Sequence, residues 1–128
     1  MAIEDASFPL KTETNMIINA AIDVHRHLGC GFFEIVYKDA LCIELGRRGY
    51  HYEREKYYPI YYKSILLPHS FYADFIIFDS VILEVKSKSA IANEDLAQAM
   101  NHWKCSSCKV GLILNFGKPT LEIKRVIL

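Results

Sequence analysis

The sequence predicts a mixed α/β fold in which a sheet is flanked by helices, with the element order ααβββαββ. Apolar residues recur at helical spacing twice near the N-terminus, and the chain then changes to short stretches rich in Tyr, Ile and Phe. One more helical pattern separates these stretches from the last two apolar runs, which favours a crossover within a mixed sheet. The 128 residues can bury the core of one domain, so we expect a single domain spanning 1–128.

Two helices are expected first. Thr12 and Thr14 offer N-cap hydroxyl groups for the first helix, and Gly29 is the residue type that ends helices. The second helix is predicted to begin at residue 33 or 34 and to run to about Arg48, whose charge is favourable at a helix C-terminus.

Aromatic and β-branched residues then predict strands over 57–62 and 64–67. Pro59 indicates an edge strand or a bulge, because proline cannot donate a hydrogen bond to a neighbouring strand. Pro68 is expected to break the chain after the second of these segments.

A central apolar hairpin is predicted next, from 71–78 and 81–87, turning around Asp79 and Ser80. The remaining elements are a helix beginning near Asn93 and reaching Trp103, followed by strands over 110–115 and 121–127.

Three ionisable residues, Asp74, Glu84 and Lys86, interrupt the apolar runs of this hairpin. Glu84 and Lys86 are two positions apart on a strand and therefore share a face of the sheet. The face of Asp74 depends on the loop: a two-residue turn would place it opposite Val85, whereas a three-residue loop over 78–80 places it opposite Glu84. We predict the odd loop, because a buried charge without a partner is costly.

Two interpretations of this charge group remain open on these residues. Lys86 could pair with both acids as a buried ion cluster, or the acids could hold a hard divalent cation while Lys86 faces the reacting group. Glu34 lies on the same helical stripe as Tyr37 and Leu41, the stripe expected to face the sheet, which favours the second interpretation. Taken alone, Glu34 is also explained as a favourable charge at a helix N-terminus.

The composition excludes some classes of protein. Hydrophobic residues make up 52% of the chain and 15 basic residues balance 15 acidic ones, so a strong basic field for indiscriminate DNA binding is not expected. No apolar run reaches the length of a membrane span, and residues 1–7 are acidic and unlike a secretion signal, which predicts a cytoplasmic protein. Cys105 and Cys108 have CxxC spacing but supply only half a zinc site, so ordinary thiols are expected.

The combined pattern resembles the GxxExxY proteins, which belong to the PD-(D/E)XK nuclease-like superfamily. The likeness extends from about residue 15 to residue 127. The matching positions are Gly31, Glu34, Tyr37, Asp74, Glu84, Val85, Lys86, Gln98 and the closing GLILNFG segment over 111–117. Ala73 stands where the superfamily has proline before the aspartate, and His102 stands where related nucleases more usually have tyrosine.

The resemblance implies a restriction-endonuclease-like fold and a site that hydrolyses phosphodiesters of nucleic acid, in particular DNA. It implies that Asp74 and Glu84 bind Mg²⁺ or Mn²⁺, that Glu34 is a further acid near the metal, and that Lys86 is the polarising cation. Gln98 would reach the site from the third helix. The alternative is a non-catalytic module that binds nucleic acid or protein and keeps the fold. A chain this short leaves little room for substrate recognition, so a homodimer or a partner protein is plausible in either case.

Other candidates have simpler explanations. His25 faces inward on the first helix and is expected to be a satisfied core histidine, and His102 is expected to pack beside Trp103. Arg54, Lys56, Lys63 and Lys88 could line a phosphate-binding rim, although the interleaved acids Glu53 and Glu55 favour a mixed-charge surface.

Overall fold

A computed structural model describes residues 8–128, so the acidic stretch 1–7 lies outside the described residues. The elements are α1 (Lys11–Leu28), α2 (Glu34–Arg47), β1 (Tyr52–Tyr62), β2 (Ile65–Ile77), β3 (Val81–Lys86), α3 (Asn93–Trp103), β4 (Val110–Asn115) and β5 (Glu122–Ile127). This is the predicted order ααβββαββ. Over 8–128, we find no helix long and apolar enough to cross a membrane.

The five strands form one mixed sheet in the order β1-β2-β3-β4-β5. The pair β3 and β4 is parallel, and the other three pairs are antiparallel. Parallel neighbours need a crossover connection, and α3 supplies it. The predicted mixed sheet with flanking helices is therefore confirmed.

Hydrophobic side chains are buried on both faces of the sheet. One cluster joins α1 and α2 to alternate residues of the central strands, including Phe75, Leu83 and Val85. A smaller cluster joins α3 to the opposite face and is centred on Trp103, with Ile76 and Ile82. Residues of β3 therefore alternate between two cores, as expected for a strand covered on both sides.

Helix α1 begins earlier than the sequence indicated. Its N-cap is Leu10, which has a left-handed backbone and makes no side-chain cap, so the prediction that Thr12 or Thr14 caps the helix was wrong. Thr14 is instead buried inside the helix, where its hydroxyl donates to the Lys11 carbonyl oxygen at 3.0 Å. Gly29 does end α1, with φ of 68°.

Strand β1 begins earlier than predicted, and the predicted segments 64–67 and 71–78 form one strand, β2, so the prediction that Pro68 breaks the chain was wrong. Strand β1 lies at the edge of the sheet, and its pairing with β2 shifts between Pro59 and Tyr61, so the expected edge and bulge are both present. Pro68 lies in this irregular segment, between the paired positions Leu66 and Ser70. Its missing N–H group therefore removes no regular hydrogen bond of the sheet.

Candidate active site

The β2–β3 hairpin has the predicted odd loop. Ile77 pairs with Val81 across the three residues 78–80, and the pairing continues to Phe75 opposite Leu83. Phe78 and Asp79 have φ of 57° and 55°, which allows the tight reversal. The regular pairing ends at Phe75 and Leu83. Beyond it, Asp74 accepts a hydrogen bond from the Val85 N–H, and its charge acts on Glu84.

The Asp74 carboxylate has a partner at each oxygen. Oδ2 accepts a hydrogen bond from the Val85 backbone N–H at 2.8 Å, and Oδ1 lies 3.0 Å from the Lys38 Nζ. The same ammonium group lies 3.1 Å from Glu55 Oε1 on β1. Only 17% of the Asp74 side chain is exposed, so these contacts replace most of its hydration.

Glu84 pairs with Lys86 on its own strand, at 3.2 Å between Oε1 and Nζ. Burial raises the pKa of Glu84, and the nearby Asp74 charge adds to this effect, while Lys86 opposes it without cancelling it. Burial alone would lower the pKa of Lys86, but the charges of Glu84, Glu34 and Asp95 outweigh burial and raise it. Glu84 therefore carries its charge at a net cost that comes mainly from burial, even with Lys86 beside it.

The supporting residues approach the site from two helices. Glu34 is the first residue of α2 and is half-buried, and its charge acts on Lys86. On α3, His102 is close enough to lower the pKa of Glu84, although its ring also packs 4.8 Å from the Phe71 ring. Gln98 is exposed on the helical face between Asp95 and His102, and the structure assigns it no contact with the acids.

Tyr37 fixes the chain in front of α2. It is fully buried, its hydroxyl donates to the Gly29 carbonyl oxygen at 2.6 Å and accepts from the Phe32 N–H at 3.3 Å. Its ring stacks on Phe116 with 4.6 Å between centroids. The tyrosine of the Gly-x-x-Glu-x-x-Tyr pattern thus has a structural role, because it holds the loop that determines where Glu34 begins the helix.

A second polar group, the Asn115 junction, anchors the chain that leaves β3. It consists of Asn115, Lys88, Gly117 and Glu122. The buried Asn115 side chain accepts from the Lys88 and Gly117 N–H groups at 3.0 and 3.1 Å, and donates to the Lys88 carbonyl and to Glu122 Oε1, both at 3.0 Å. All four hydrogen-bonding positions of the amide are used. This arrangement fixes the backbone two residues after Lys86.

Two glycines of the closing segment are explained by close approaches. A Cβ atom on Gly117 would lie 2.3 Å from the Lys88 carbonyl oxygen and 2.4 Å from its nitrogen. A Cβ atom on Gly111 would lie 2.2 Å from the Trp103 ring. Gly117 therefore lets β4 support the loop after β3, and Gly111 lets α3 pack onto the sheet.

The sequence model of the PD-(D/E)XK nuclease superfamily matches residues 11–126, which is nearly the whole chain. The chain belongs to the PD-(D/E)XK nuclease superfamily. No curated protein and no solved structure gives a significant match to the sequence.

PD-(D/E)XK nucleases generally use divalent metal ions. Carboxylate oxygen atoms are the donors that Mg²⁺ and Mn²⁺ prefer, and Asp74 and Glu84 present such atoms on adjacent strands. The raised pKa of Glu84 also fits, since a cation would relieve the cost of its burial. Within 8–128, no three His, Cys, Asp or Glu side chains are grouped closely enough to hold a metal. Glu34 therefore does not join Asp74 and Glu84 in a three-carboxylate group.

Sequence reasoning missed Lys38 and Glu55 and gave too little weight to His102. Lys38 lies one helical turn after Glu34, and this i, i+4 spacing was the available signal. The His25 Nε2 lies 2.8 Å from the Lys118 carbonyl oxygen in the core, and the four cysteines are free thiols. Three of the suspected rim cations pair with acids: Arg54 with Asp39, Lys56 with Glu53, and Lys88 with Asp95.

Proposed function

We propose that this protein is a metal-dependent nuclease that hydrolyses phosphodiester bonds of nucleic acid, in particular DNA, at Asp74, Glu84 and Lys86. The observation that supports the proposal lies just beyond the last regular pair of the β2–β3 hairpin, where the Asp74 charge acts on Glu84 and Lys86 pairs with Glu84. Superfamily membership supplies the class of reaction, and this geometry supplies residues suited to it.

In the proposed mechanism Asp74 and Glu84 hold Mg²⁺ or Mn²⁺, and the Val85 N–H keeps the Asp74 carboxylate oriented. The bound cation would acidify a water molecule and neutralise charge that accumulates on the phosphodiester. Lys86 would position the attacking water or stabilise the developing negative charge. Glu34 would act as a further acid near the metal. Burial lowers the pKa of Lys86, and Glu34 adds to the larger effect of Glu84 that raises it.

Finer parts of the proposal concern the family and its partners. The Gly31, Glu34 and Tyr37 pattern supports membership of the GxxExxY group, with one domain over 1–128 acting in the cytoplasm. Gln98 would contact substrate from α3, where its exposed position leaves it accessible. A homodimer or partner protein would provide further contacts with the substrate. Exposed apolar side chains on the β1–β2 hairpin offer a surface for it: Tyr57, Tyr61, Tyr62, Ile65, Leu66 and Tyr72.

A non-catalytic binding module is the second candidate, and one observation favours it. Both site acids already have lysine partners, since Asp74 lies 3.0 Å from Lys38 and Glu84 lies 3.2 Å from Lys86. Such a cluster can satisfy its charges without a metal. Under this alternative the protein binds nucleic acid or another protein without hydrolysing it.

Cleavage assays with single-stranded DNA, double-stranded DNA and RNA, in Mg²⁺, Mn²⁺ or EDTA, separate the two candidates. The nuclease should require the metal, and Asp74→Asn or Lys86→Ala should each reduce cleavage about a hundredfold or more. Asp79→Asn is the matched control, because Asp79 lies in the same hairpin, is 77% exposed and pairs with His51 at 3.1 Å. Binding without cleavage, or cleavage that survives EDTA and Asp74→Asn, would contradict the proposal.

A further inference from the structure

Lys38 occupies a position at the candidate site that neither the sequence pattern nor superfamily membership assigns. It projects from α2 and places its ammonium group between two carboxylates, 3.0 Å from Asp74 Oδ1 and 3.1 Å from Glu55 Oε1. Only 15% of its side chain is exposed. Burial alone would lower the pKa of Lys38, but the hydrogen bonds and charges of Asp74 and Glu55 outweigh it and raise the pKa. Lys38 is therefore a charged, sheltered group held by two acids.

The two acids differ in their surroundings. Asp74 is 17% exposed and its other oxygen is held by the Val85 N–H, whereas Glu55 is 48% exposed on the edge strand. Glu55 also has φ of 53°, between the regular pairs Arg54 with Phe75 and Lys56 with Ala73. An ammonium group that left Asp74 could remain on Glu55 and regain water there, so the cost of moving it is small.

We infer that Lys38 is an internal counter-ion of Asp74 that a divalent cation must displace, with Glu55 retaining the displaced ammonium group. The inference rests on the proposed function, because it concerns the same metal-binding acids. Lys38 thus stabilises the metal-free protein and weakens metal binding, since Oδ1 of Asp74 cannot contact an ammonium group and a metal ion at the same point. Glu55 has the opposite effect on metal binding, because it offers the lysine another partner.

The test measures Mn²⁺ affinity by the electron paramagnetic resonance signal of free Mn²⁺, with no nucleic acid present. Lys38→Met should lower the Mn²⁺ Kd about tenfold, because it removes a competing charge at contact distance. Lys56→Met is the matched control, since Lys56 pairs with Glu53 and does not contact Asp74. It should change the Kd much less.

A second pair of variants tests the role of Glu55 while Lys38 itself is kept. Glu55→Gln should raise the Kd for Mn²⁺, because Lys38 then has only Asp74. Glu53→Gln removes the same charge from the same strand and should raise the Kd less. Thermal unfolding gives an independent measurement: Lys38→Met should lower the Tm of the metal-free protein, and Mn²⁺ should raise it more than in wild type.

Adding Glu84→Gln to each protein distinguishes the two proposals. If Mn²⁺ binding requires Glu84 but Lys38→Met does not tighten it relative to Lys56→Met, the counter-ion role is wrong and the proposed metal site stands. If neither wild type nor Lys38→Met binds Mn²⁺ in a Glu84-dependent manner, the proposed metal site is wrong and the counter-ion role falls with it. Tighter, Glu84-dependent binding in Lys38→Met supports both.

Discussion

Glu84 and Glu122 are carboxylates on the same sheet, and their surroundings shift their pKa values in opposite directions. Burial dominates at Glu84 and raises its pKa, because the attraction of Lys86, whose Nζ lies 3.2 Å from Oε1, does not cancel it. Hydrogen bonds dominate at Glu122, where Asn115 Nδ2 donates at 3.0 Å and the Ile91 N–H at 2.9 Å, and they lower its pKa. Hydrogen bonds at the Asn115 junction therefore favour the charged form of Glu122, whereas burial at the candidate site disfavours the charged form of Glu84.

The largest expected difference is between the effects of Asn115→Ala and Glu84→Gln on the free energy of unfolding. Asn115→Ala should lower the free energy of unfolding by about 3 kcal/mol, because it leaves buried groups of the junction without partners. Glu84→Gln should change it by less than about 1 kcal/mol in metal-free buffer, since losing the Lys86 pair is offset by removing a shielded charge. Urea unfolding at neutral pH measures both, and equal losses would contradict the comparison.

Gly117→Ala tests the close approach at the junction and should cost about 2 kcal/mol, because the Lys88 backbone must move away from the new methyl group. Gly46→Ala is the control within α2, where a Cβ atom meets nothing within 4 Å. It should stabilise the protein by about 0.5 kcal/mol, since alanine favours helices. Thermal and urea unfolding compare the two variants. A neutral Gly117→Ala would show that the loop after β3 is not held in place.

The smallest expected effect is that the contributions of Glu84 and Glu122 to folding stability change with pH in opposite directions. Folded Glu84 binds its proton more tightly than unfolded Glu84, so its stabilising contribution is present below the ordinary pKa of glutamate and is lost as pH rises through the raised value. Glu122 contributes stability above the ordinary pKa and loses it as pH falls through the lowered value.

Urea unfolding across the acidic range measures these contributions. With rising pH, wild type should lose stability relative to Glu84→Gln and gain stability relative to Glu122→Gln. If the stability of wild type relative to each variant changed with pH in the same direction, the two carboxylates would not be in opposite environments.

Local sequence signals predicted much of this arrangement. The three-residue loop over 78–80 was predicted from the expectation that Asp74 shares a face with Glu84, and Gly29 correctly marked the end of α1. Local sequence signals gave wrong predictions where the surrounding structure, and not the residue itself, determines the local conformation. Pro68 is tolerated in β2 because the pairing with β1 is already irregular there, and the α1 N-terminus depends on the left-handed backbone of Leu10 rather than on a threonine hydroxyl.

The site itself shows the same limit. Two-residue spacing predicted the Glu84 and Lys86 pair, but the contact of Lys38 with Asp74 joins residues 36 positions apart and depends on how α2 lies against the sheet. The hydrogen bond between Asn115 and Lys88 likewise depends on the parallel pairing of β3 with β4. The i, i+4 spacing places Lys38 on the helical face of Glu34, but periodicity does not identify the distant partner of either Lys38 or Asn115.

The three-residue loop between β2 and β3 limits which insertions and deletions the chain can tolerate. Surface loops usually accept changes in length, but here a change of one residue would shift the strand register and separate Asp74 from the Val85 N–H that it accepts from. Adding two residues would preserve the alternation of side chains along the strand. A change in loop length by an odd number of residues should therefore disturb the position of Asp74 more than a change by an even number. This holds although the loop residues themselves lie outside the site.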